Sequence, residues 1–394
     1  MKLLIYEPVV TGHHLHYLEM IIDGLSRQQL NIMLLTSREI KSHDLFEKLS
    51  QSEAVSEIMY IDTSFDKITS FSIPLFLKEF FFYIGMKQQI KKYEGNINSI
   101  FIPYLDIFAR FISILKSPFD GISWSGIIMT PSFHLNVHQN SSFLNRNKQK
   151  INAYFFKHLL ESEGLKEIFI IDPLLYRKTK NNLSISYLPD PGKLEEFAGT
   201  KEEARKKAGC DFDGYILLVY GAITERKGII ELLNIATSEK FIESCRIVIA
   251  GKMEESLENE LSRDFSSILN SGKILILNKY ITTDLESALF KAADLVWVGY
   301  KDFLGMSGVL AQAIRSKTPL IANSLGLIGW FVKKYGIGKI IDIGNPKESA
   351  QIISDYLSDS DIYDQTVEQF EITDLDHSVK QFQQKINKSI FDVD

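Results

Sequence analysis

The sequence predicts an α/β protein of two facing domains, each a doubly wound parallel sheet with helices on both faces. Short β-type runs alternate with helical patterns along the 394 residues, and this alternation is typical of βαβ units. It occurs twice, once in each half. Between the halves, residues 188–192 read Leu-Pro-Asp-Pro-Gly, which excludes regular structure. We therefore predict domains at 1–188 and 189–376 and a helical tail at 377–394, whose packing on the N-terminal domain is left open.

Apolar runs predict the elements of the N-terminal half. The predicted strands are residues 3–6, 31–35, 97–102, 122–129 and 167–171, with a helix at 15–25. Residues 71–86 form the most apolar stretch of the chain, but Pro74, Lys78 and Glu79 interrupt it. A buried or half-buried helix is favoured there, and contact with a membrane surface is the alternative.

The C-terminal half repeats the pattern more clearly. Its predicted strands are residues 215–220, 246–250, 274–277, 295–298, 320–322 and 339–341, and its predicted helices are 228–236, 257–269, 285–292, 309–315 and, in the tail, 377–390. Ligands of doubly wound sheets bind at the carboxyl ends of the strands. Two such domains would therefore hold a ligand across one cleft.

Composition argues against several classes of protein. The formal net charge is -6, whereas a nucleic-acid-binding protein would show a basic excess. Cys210 and Cys245 form no Cys-x-x-Cys pair, so we expect neither a zinc site nor a disulfide framework. The chain has no apolar run long enough to span a membrane, and its first residues do not resemble a signal peptide. We therefore expect a cytoplasmic protein.

The first motif is Tyr-Gly-Ala-Ile-Thr-Glu-Arg-Lys-Gly-Ile at residues 220–229. A predicted strand ends at Gly221, and a short loop brings Arg226 and Lys227 to the first turn of the next predicted helix. Cations normally avoid the positive end of a helix, so this pair indicates an anion bound between the cations and the helix amides. A solvated loop is the alternative interpretation.

The second motif is Gly-Met-Ser-Gly-Val-Leu-Ala-Gln-Ala at residues 305–313. Small residues follow one predicted strand and precede a helix, Ser307 is a candidate N-cap, and glycines allow a ligand close to the backbone. A tight turn without function is the alternative. Two such loops in one domain favour a diphosphate ligand.

Together these segments resemble the C-terminal domain of retaining glycosyltransferases of family 4, the glycosyl transferases group 1. The resemblance rests on residues 221–229, Gly251 and residues 307–322, covers residues 185–345 well and is loose over the N-terminal half. It implies the GT-B fold of two facing Rossmann-like domains. It also implies transfer of a sugar from a UDP- or GDP-type donor to a saccharide or lipid-linked acceptor.

The resemblance implies roles for matched residues. Lys227 would bind the donor diphosphate, and Arg226 would replace the arginine that the family carries where Ala222 stands. Two family glutamates are absent, because Leu304 and Gln312 occupy their positions.

Other side chains could take over these two tasks. Gln312 can still bond the ribose through its amide, and Asp302 is the nearby candidate for the sugar contact. The other implied donor-binding residues are Gly12, Gly221, Tyr280, Ile281, Ser307, Gly308 and Val309.

In the N-terminal half, the loop after the first predicted strand carries Gly12, His13 and His14. The resemblance places this loop at the donor phosphates and the acceptor. The close histidines lack acidic or cysteine partners, so no metal is expected. His134 follows another predicted strand and, by the same resemblance, would orient the acceptor or assist proton transfer.

The predicted reaction needs neither metal nor other cofactor, because cations and helix amides at the phosphates can stabilise the leaving group. The resemblance implies retention by same-face attack, without an enzyme nucleophile. Two alternatives stay open: a non-catalytic nucleotide-sugar-binding or scaffold subunit, and a sugar-nucleotide epimerase of the same fold. A peripheral contact with the inner face of the membrane is compatible with the lipid-linked acceptor.

Overall fold

The computed structural model describes residues 2–10, 14–26, 30–43, 45–61, 74–93, 95–131, 133–134, 143–192, 195–372 and 377–391. The chain divides into two compact units. The N-terminal unit comprises residues 1–189 together with 379–394, and the C-terminal unit comprises residues 190–378.

A parallel sheet of seven strands forms the centre of the N-terminal unit, in the order β3-β2-β1-β4-β5-β6-β7. The strands are β1 (Lys2–Glu7), β2 (Asn31–Thr36), β3 (Val55–Tyr60), β4 (Ser99–Ile102), β5 (Ser123–Ile128), β6 (Leu165–Ile170) and β7 (Ile185–Tyr187). The chain proceeds from β1 outward to β3 and then returns to place β4 beside β1. The direction of winding therefore reverses between β1 and β4.

The described helices of this unit are α1 (His14–Leu25), α2 (Leu45–Ser50), α3 (Leu75–Lys91), α4 (Asp106–Leu115), α5 (Phe143–Leu159), α6 (Pro173–Thr179) and α16 (Val379–Phe391), with a 3-10 turn at Arg38–Ser42. The last helix packs on the first helix. Gln383 Nε2 donates to Met20 O at 2.9 Å, and Asn387 Nδ2 donates to Gly24 O at 2.9 Å. The end of the chain thus completes the N-terminal unit.

The C-terminal unit is built on a parallel sheet of six strands, in the order β10-β9-β8-β11-β12-β13. The strands are β8 (Tyr215–Tyr220), β9 (Cys245–Ala250), β10 (Ile274–Leu277), β11 (Leu295–Val298), β12 (Leu320–Asn323) and β13 (Gly338–Ile341). Its helices are α7 (Lys201–Lys207), α8 (Ile229–Ala236), α9 (Glu255–Asp264), α10 (Ser266–Leu269), α11 (Thr283–Ala292), α12 (Gly308–Ser316), α13 (Gly326–Tyr335), α14 (Pro346–Ser358) and α15 (Ser360–Ile372), with a 3-10 turn at Glu225–Lys227.

Strand β8 explains why helices cover both faces of this sheet. Ile216 and Leu218 pack in a core cluster with α11 and α12. Leu217 and Val219 point to the opposite face and pack with α8 and α14. Successive side chains of a strand alternate between faces, so a run that is apolar throughout requires cover on both sides.

The predicted alternation of strands and helices is confirmed, including the bounds of β8, β10 and β11. Two edge strands, β3 and β7, were not predicted. β3 carries exposed Ser56 and Glu57 within an otherwise weak pattern, and β7 has only three residues. The helix predicted at 257–269 was wrong in extent, because Phe265 leaves the helical conformation and divides α9 from α10.

The apolar stretch near residue 80 forms α3, which is half-buried as favoured. Tyr83, Met86 and Ile90 are buried, while Phe76 and Phe81 are exposed. Among the described residues, no helix combines the length and the apolar character needed to cross a membrane.

A buried carboxylate ties α7 to the sheet. Asp294 accepts from Lys201 Nζ at 2.6 Å, from Arg205 Nη2 at 3.0 Å and from the Ile216 amide at 2.7 Å. We expect Asp294→Ala to lower the free energy of unfolding by about 2–4 kcal/mol, because it leaves a cation and a buried amide unpaired. Urea unfolding measures this.

The matched control is Asp264→Ala, which removes an exposed partner of Arg263. Its urea midpoint should stay at the parental value, since exposed pairs contribute little. Equal midpoints for Asp294→Ala and the parent would contradict the prediction.

Candidate functional site

The winding of the C-terminal sheet reverses between β8 and β11. In open parallel sheets, ligands bind beyond the carboxyl ends of the strands at this point. Gly221 follows β8 directly, and Tyr300 lies two residues beyond β11. Both predicted motifs therefore meet at one edge of the sheet.

Gly221 lies beside the two residues that border this site. Its φ of 101° is a conformation that favours glycine. A Cβ at this position would lie 3.4 Å from Lys227 Nζ and 3.8 Å from Val309 Cγ2. The glycine thus leaves room beside both the lysine and the start of α12.

Lys227 ends the 3-10 turn and stands directly before Gly228, which precedes α8. Gly228 takes a left-handed φ of 67° and separates the turn from the helix. Trp297 Nε1 donates to Lys227 O at 2.8 Å and holds the turn against β11.

The ammonium group of Lys227 is buried rather than solvated. The residue is 4% exposed, and Nζ donates to Tyr220 O at 2.8 Å and to Tyr300 Oη at 2.6 Å. Within the described ranges, no carboxylate pairs with it. A buried cation that has only neutral acceptors is costly, and a bound anion would offset that cost.

Ser307 stands at the N-cap position of α12 as predicted, but the predicted capping bond is absent. Its hydroxyl instead lies 3.2 Å from Tyr300 Oη. Gly308 opens the helix, and a Cβ there would meet nothing within 4 Å. The positive end of α12 is therefore not capped by a side chain and has open space beside it.

Arg226 is exposed and turns toward the loop that follows β11. Its guanidinium carbon lies 4.7 Å from the centre of the Phe303 ring and 6.0 Å from that of Tyr300. In the same loop, Asp302 is exposed with a left-handed φ of 45°. Leu304 accepts a backbone bond from Leu327 at 3.0 Å. The roles of Arg226 and Asp302 stay predictions.

A second cluster adjoins the first across Tyr220, the last residue of β8. The Tyr220 hydroxyl hydrogen-bonds the Glu286 carboxylate, and burial together with this carboxylate raises the pKa of Tyr220. Gln312 Nε2 also donates to Glu286 Oε1. One N–H of the Gln312 amide is therefore engaged, which leaves its other N–H and its carbonyl oxygen for the predicted ribose contact.

Tyr280 and Ile281 precede α11. The Tyr280 side chain is 83% exposed, whereas Ile281 is buried. The predicted contact with the base stays a prediction for both residues.

In the N-terminal unit, Gly12 and His13 lie outside the described residues. His14 begins α1, and its Nδ1 lies 3.3 Å from Glu7 Oε1. Burial raises the pKa of the Glu7 carboxyl, and the bond to His14 opposes this rise. The His14 ring also meets the Tyr104 ring edge-on, with centres 4.3 Å apart. These groups lie where the winding of the N-terminal sheet reverses.

His134 is buried rather than exposed to solvent. Its side chain is 4% exposed, and Nε2 lies 2.8 Å from Asp172 Oδ2. The other oxygen of Asp172 caps α6 through the amides of Leu174 and Leu175. The ring is thus tied to a helix terminus, and its catalytic role stays a prediction. Among the residues that the structure covers, no three potential metal ligands come together.

Comparison with known proteins finds a family match for the C-terminal unit. Residues 200–371 match the family model for glycosyl transferases group 1. This segment, called the group 1 domain below, is therefore similar to the glycosyl transferases group 1. A search among curated proteins finds no match.

Solved structures share the fold of the whole chain. WaaG, a glycosyltransferase involved in lipopolysaccharide biosynthesis, is 13% identical with a TM-score of 0.64, and each chain is covered to 100%. HepE of Anabaena, in complex with UDP and glucose, is 12% identical with a TM-score of 0.67 and the same coverage. A glycosyltransferase from Rickettsia africae is 13% identical with a TM-score of 0.66, covering 100% of this chain and 99% of that one.

The predicted GT-B fold and the predicted enzyme class, a glycosyltransferase, are confirmed at this level. In the group 1 domain, the sequence analysis missed Tyr300 and Glu286, and it gave Tyr220 of the first motif no role. The position of Tyr300 could have indicated a role, since it follows a strand end in a domain whose other strand ends carry the motifs. No sequence feature indicated a role for Glu286, because nothing in its own helix distinguishes it from a solvated carboxylate.

Proposed function

We propose that the chain transfers a glycosyl group from a nucleotide diphosphate sugar, of UDP or GDP type, to a saccharide or lipid-linked acceptor. The transfer proceeds with retention of configuration and without a metal ion. One observation carries the proposal: the Lys227 ammonium is buried against two neutral oxygens, beside Gly221 and the open end of α12.

The diphosphate completes the electrostatics of this site. Departure of the nucleotide builds negative charge on phosphate oxygens, and Lys227 is fixed in advance where that charge develops. The first amides of α12, opened by Gly308, offer donors to the same oxygens. Arg226, the preceding residue of the same 3-10 turn, can add a second cation.

The donor assignment has independent support. HepE of Anabaena has been solved with UDP and with UDP-glucose. Since that protein has the fold of this chain, a nucleotide sugar is the ligand that best fits the corresponding edge of the group 1 domain.

Same-face attack by the acceptor hydroxyl explains retention without an enzyme nucleophile. The bond from the anomeric carbon to the phosphate oxygen breaks, the bond to the acceptor oxygen forms, and the acceptor proton passes to the leaving phosphate. The two cations and the helix amides supply the stabilisation that a divalent metal would otherwise provide.

The acceptor belongs to the N-terminal unit in this proposal. Glu7 holds His14 at the reversal point of that sheet, and Gly12 and His13 directly precede His14 in the sequence. His134 follows β5 at the carboxyl edge of the same sheet and contacts Asp172, which follows β6.

An apolar surface on the N-terminal unit supports peripheral contact with a membrane. Eight large side chains of α3, α4 and α5 are exposed: Leu75, Phe76, Leu77, Phe81, Ile114, Leu115, Ile151 and Tyr154. Arg110 joins the helices, with its guanidinium carbon 5.8 Å from the Phe76 ring centre and 5.9 Å from that of Phe155. These three helices carry eight Lys or Arg residues against two acidic ones, although the chain as a whole is acidic. Anionic lipid is the complementary partner.

A non-catalytic nucleotide-sugar-binding subunit is the second candidate. Leu304 favours it, because an apolar side chain stands where the family carries a glutamate. Binding of nucleotide without transfer to any acceptor would select this candidate.

Lys227→Ala tests the proposed transfer. We expect turnover to fall by about 10² to 10³, because a preorganised donor to the leaving group is lost. The measurement is the transfer rate from UDP- or GDP-sugars to an acceptor extract, together with the unfolding midpoint.

Two variants accompany this test. Tyr300→Phe removes one acceptor of the ammonium and keeps the ring, so it should lower turnover less than Lys227→Ala. Lys206→Ala removes an exposed cation of α7 and should change nothing. A folded Lys227→Ala protein that transfers sugar at the parental rate would refute both site and mechanism.

Chelation tests the absence of a catalytic metal. We expect EDTA to leave the transfer rate unchanged, since cations of the protein neutralise the leaving group. The control adds magnesium or manganese back. Loss of activity that either ion restores would show the metal-free mechanism to be wrong.

Sedimentation with vesicles tests the membrane contact. Vesicles of phosphatidylcholine with phosphatidylglycerol should retain the protein, and phosphatidylcholine alone should retain less, because the apolar surface is flanked by cations. Phe76→Ser combined with Phe81→Ser should reduce retention several-fold. Leu183→Ser, at a side chain 99% exposed elsewhere in the unit, is the control. Equal retention of both variants contradicts the contact.

A further inference from the structure

We propose that Glu286, and not Gln312, is the residue that recognises the ribose hydroxyls of the donor nucleotide. This inference rests on the proposed function, because it assigns a specificity-determining carboxylate to the nucleoside side of the same site. Gln312 and Tyr220 act as positioning residues that hold this carboxylate.

The geometry places Glu286 between two elements that border the site. It lies in the first turn of α11, and its Oε1 accepts from Gln312 Nε2 of α12. The Tyr220 hydroxyl at the end of β8 bonds the same carboxylate. A half-buried side chain that is held from two directions has a fixed orientation.

Tyr220 connects this carboxylate to the phosphate side. Its backbone oxygen accepts from Lys227 Nζ at 2.8 Å, while its side chain reaches Glu286. Tyr280, whose side chain is 83% exposed, is near enough to influence the Tyr220 hydroxyl electrostatically. Tyr220 therefore contacts the Lys227 cation through its main-chain oxygen and the Glu286 carboxylate through its side chain. A nucleotide presents its phosphate and its ribose in the same order.

The chemistry favours the carboxylate over the amide. An ionised carboxylate has about four acceptor positions and can accept from several donors at once. Tyr220 and Gln312 are neutral donors, so their bonds to Glu286 do not neutralise its charge. Bonds to a charged acceptor are stronger than bonds to an amide oxygen. One of the two N–H donors of Gln312 is already committed to Glu286.

Binding of ribonucleotides and 2′-deoxyribonucleotides tests the assignment. Titration calorimetry measures UDP, GDP and their 2′-deoxy forms against the whole chain. We expect the parent to bind its ribonucleotide about 10- to 100-fold more tightly than the deoxy form, the range for a hydrogen bond to a charged group. Glu286→Gln should lose most of this ratio by weakening the ribonucleotide, with little effect on the deoxy form.

Asp284→Asn is the matched control. It removes the same charge two residues away in α11, where Asp284 is exposed and paired only with Lys207 in the described structure. It should keep the parental ratio. If Glu286→Gln does not fold, Glu286→Asp replaces it, because a shortened carboxylate cannot reach Gln312 and Tyr220 together and should also lower the ratio.

The outcomes distinguish a failure of the Glu286 assignment from a failure of the proposed function. A parent that binds UDP or GDP without discriminating against the deoxy form overturns the assignment of Glu286 and leaves the proposed function intact. A folded Glu286 variant with the parental ratio does the same. A parent that binds none of the four nucleotides overturns the proposed function itself.

Discussion

The burial of the Lys227 ammonium is the constraint on which the rest of the C-terminal unit depends. Its two acceptors come from different strands, since Tyr220 ends β8 and Tyr300 follows β11. Ser307, at the start of α12, joins through the hydroxyl of Tyr300. Two neutral oxygens do not neutralise a cation. The anion of the proposed donor would compensate this charge, at the edge where parallel sheets of this winding bind their ligands.

The sequence predicts this edge well where the information is local. A strand ends where an apolar run meets Gly221, and its left-handed φ explains why glycine stands there. The alternation of apolar runs and helical patterns predicts which loops share that edge, because carboxyl ends of parallel strands lie together. The predicted start of the helix at residue 228 was wrong by one residue, because Gly228 takes a left-handed conformation and α8 begins at Ile229.

The sequence does not predict which residue is the hydrogen-bond partner of each polar side chain. Tyr300 lies 73 residues from Lys227, and Glu286 lies 26 residues from Gln312, so neither pair follows from spacing. Likewise, His134 fits a loop histidine by pattern, yet its ring is buried against Asp172. Side-chain hydrogen bonds across helices depend on packing that a linear pattern does not encode.

Tyr220 shows how the backbone sets the dimensions of the site. Its carbonyl oxygen accepts from Lys227 and its hydroxyl bonds Glu286, so the separation of cation and carboxylate is fixed by the geometry of one residue. The ring is packed edge-on against Phe290, with centres 5.2 Å apart, which restricts its rotation. Both charged groups are therefore tied to β8. In the proposed function, such an ordered pair would select a ligand that carries its own negative charge and its own hydroxyls at a constant spacing, because both groups are ordered by folding before the ligand binds.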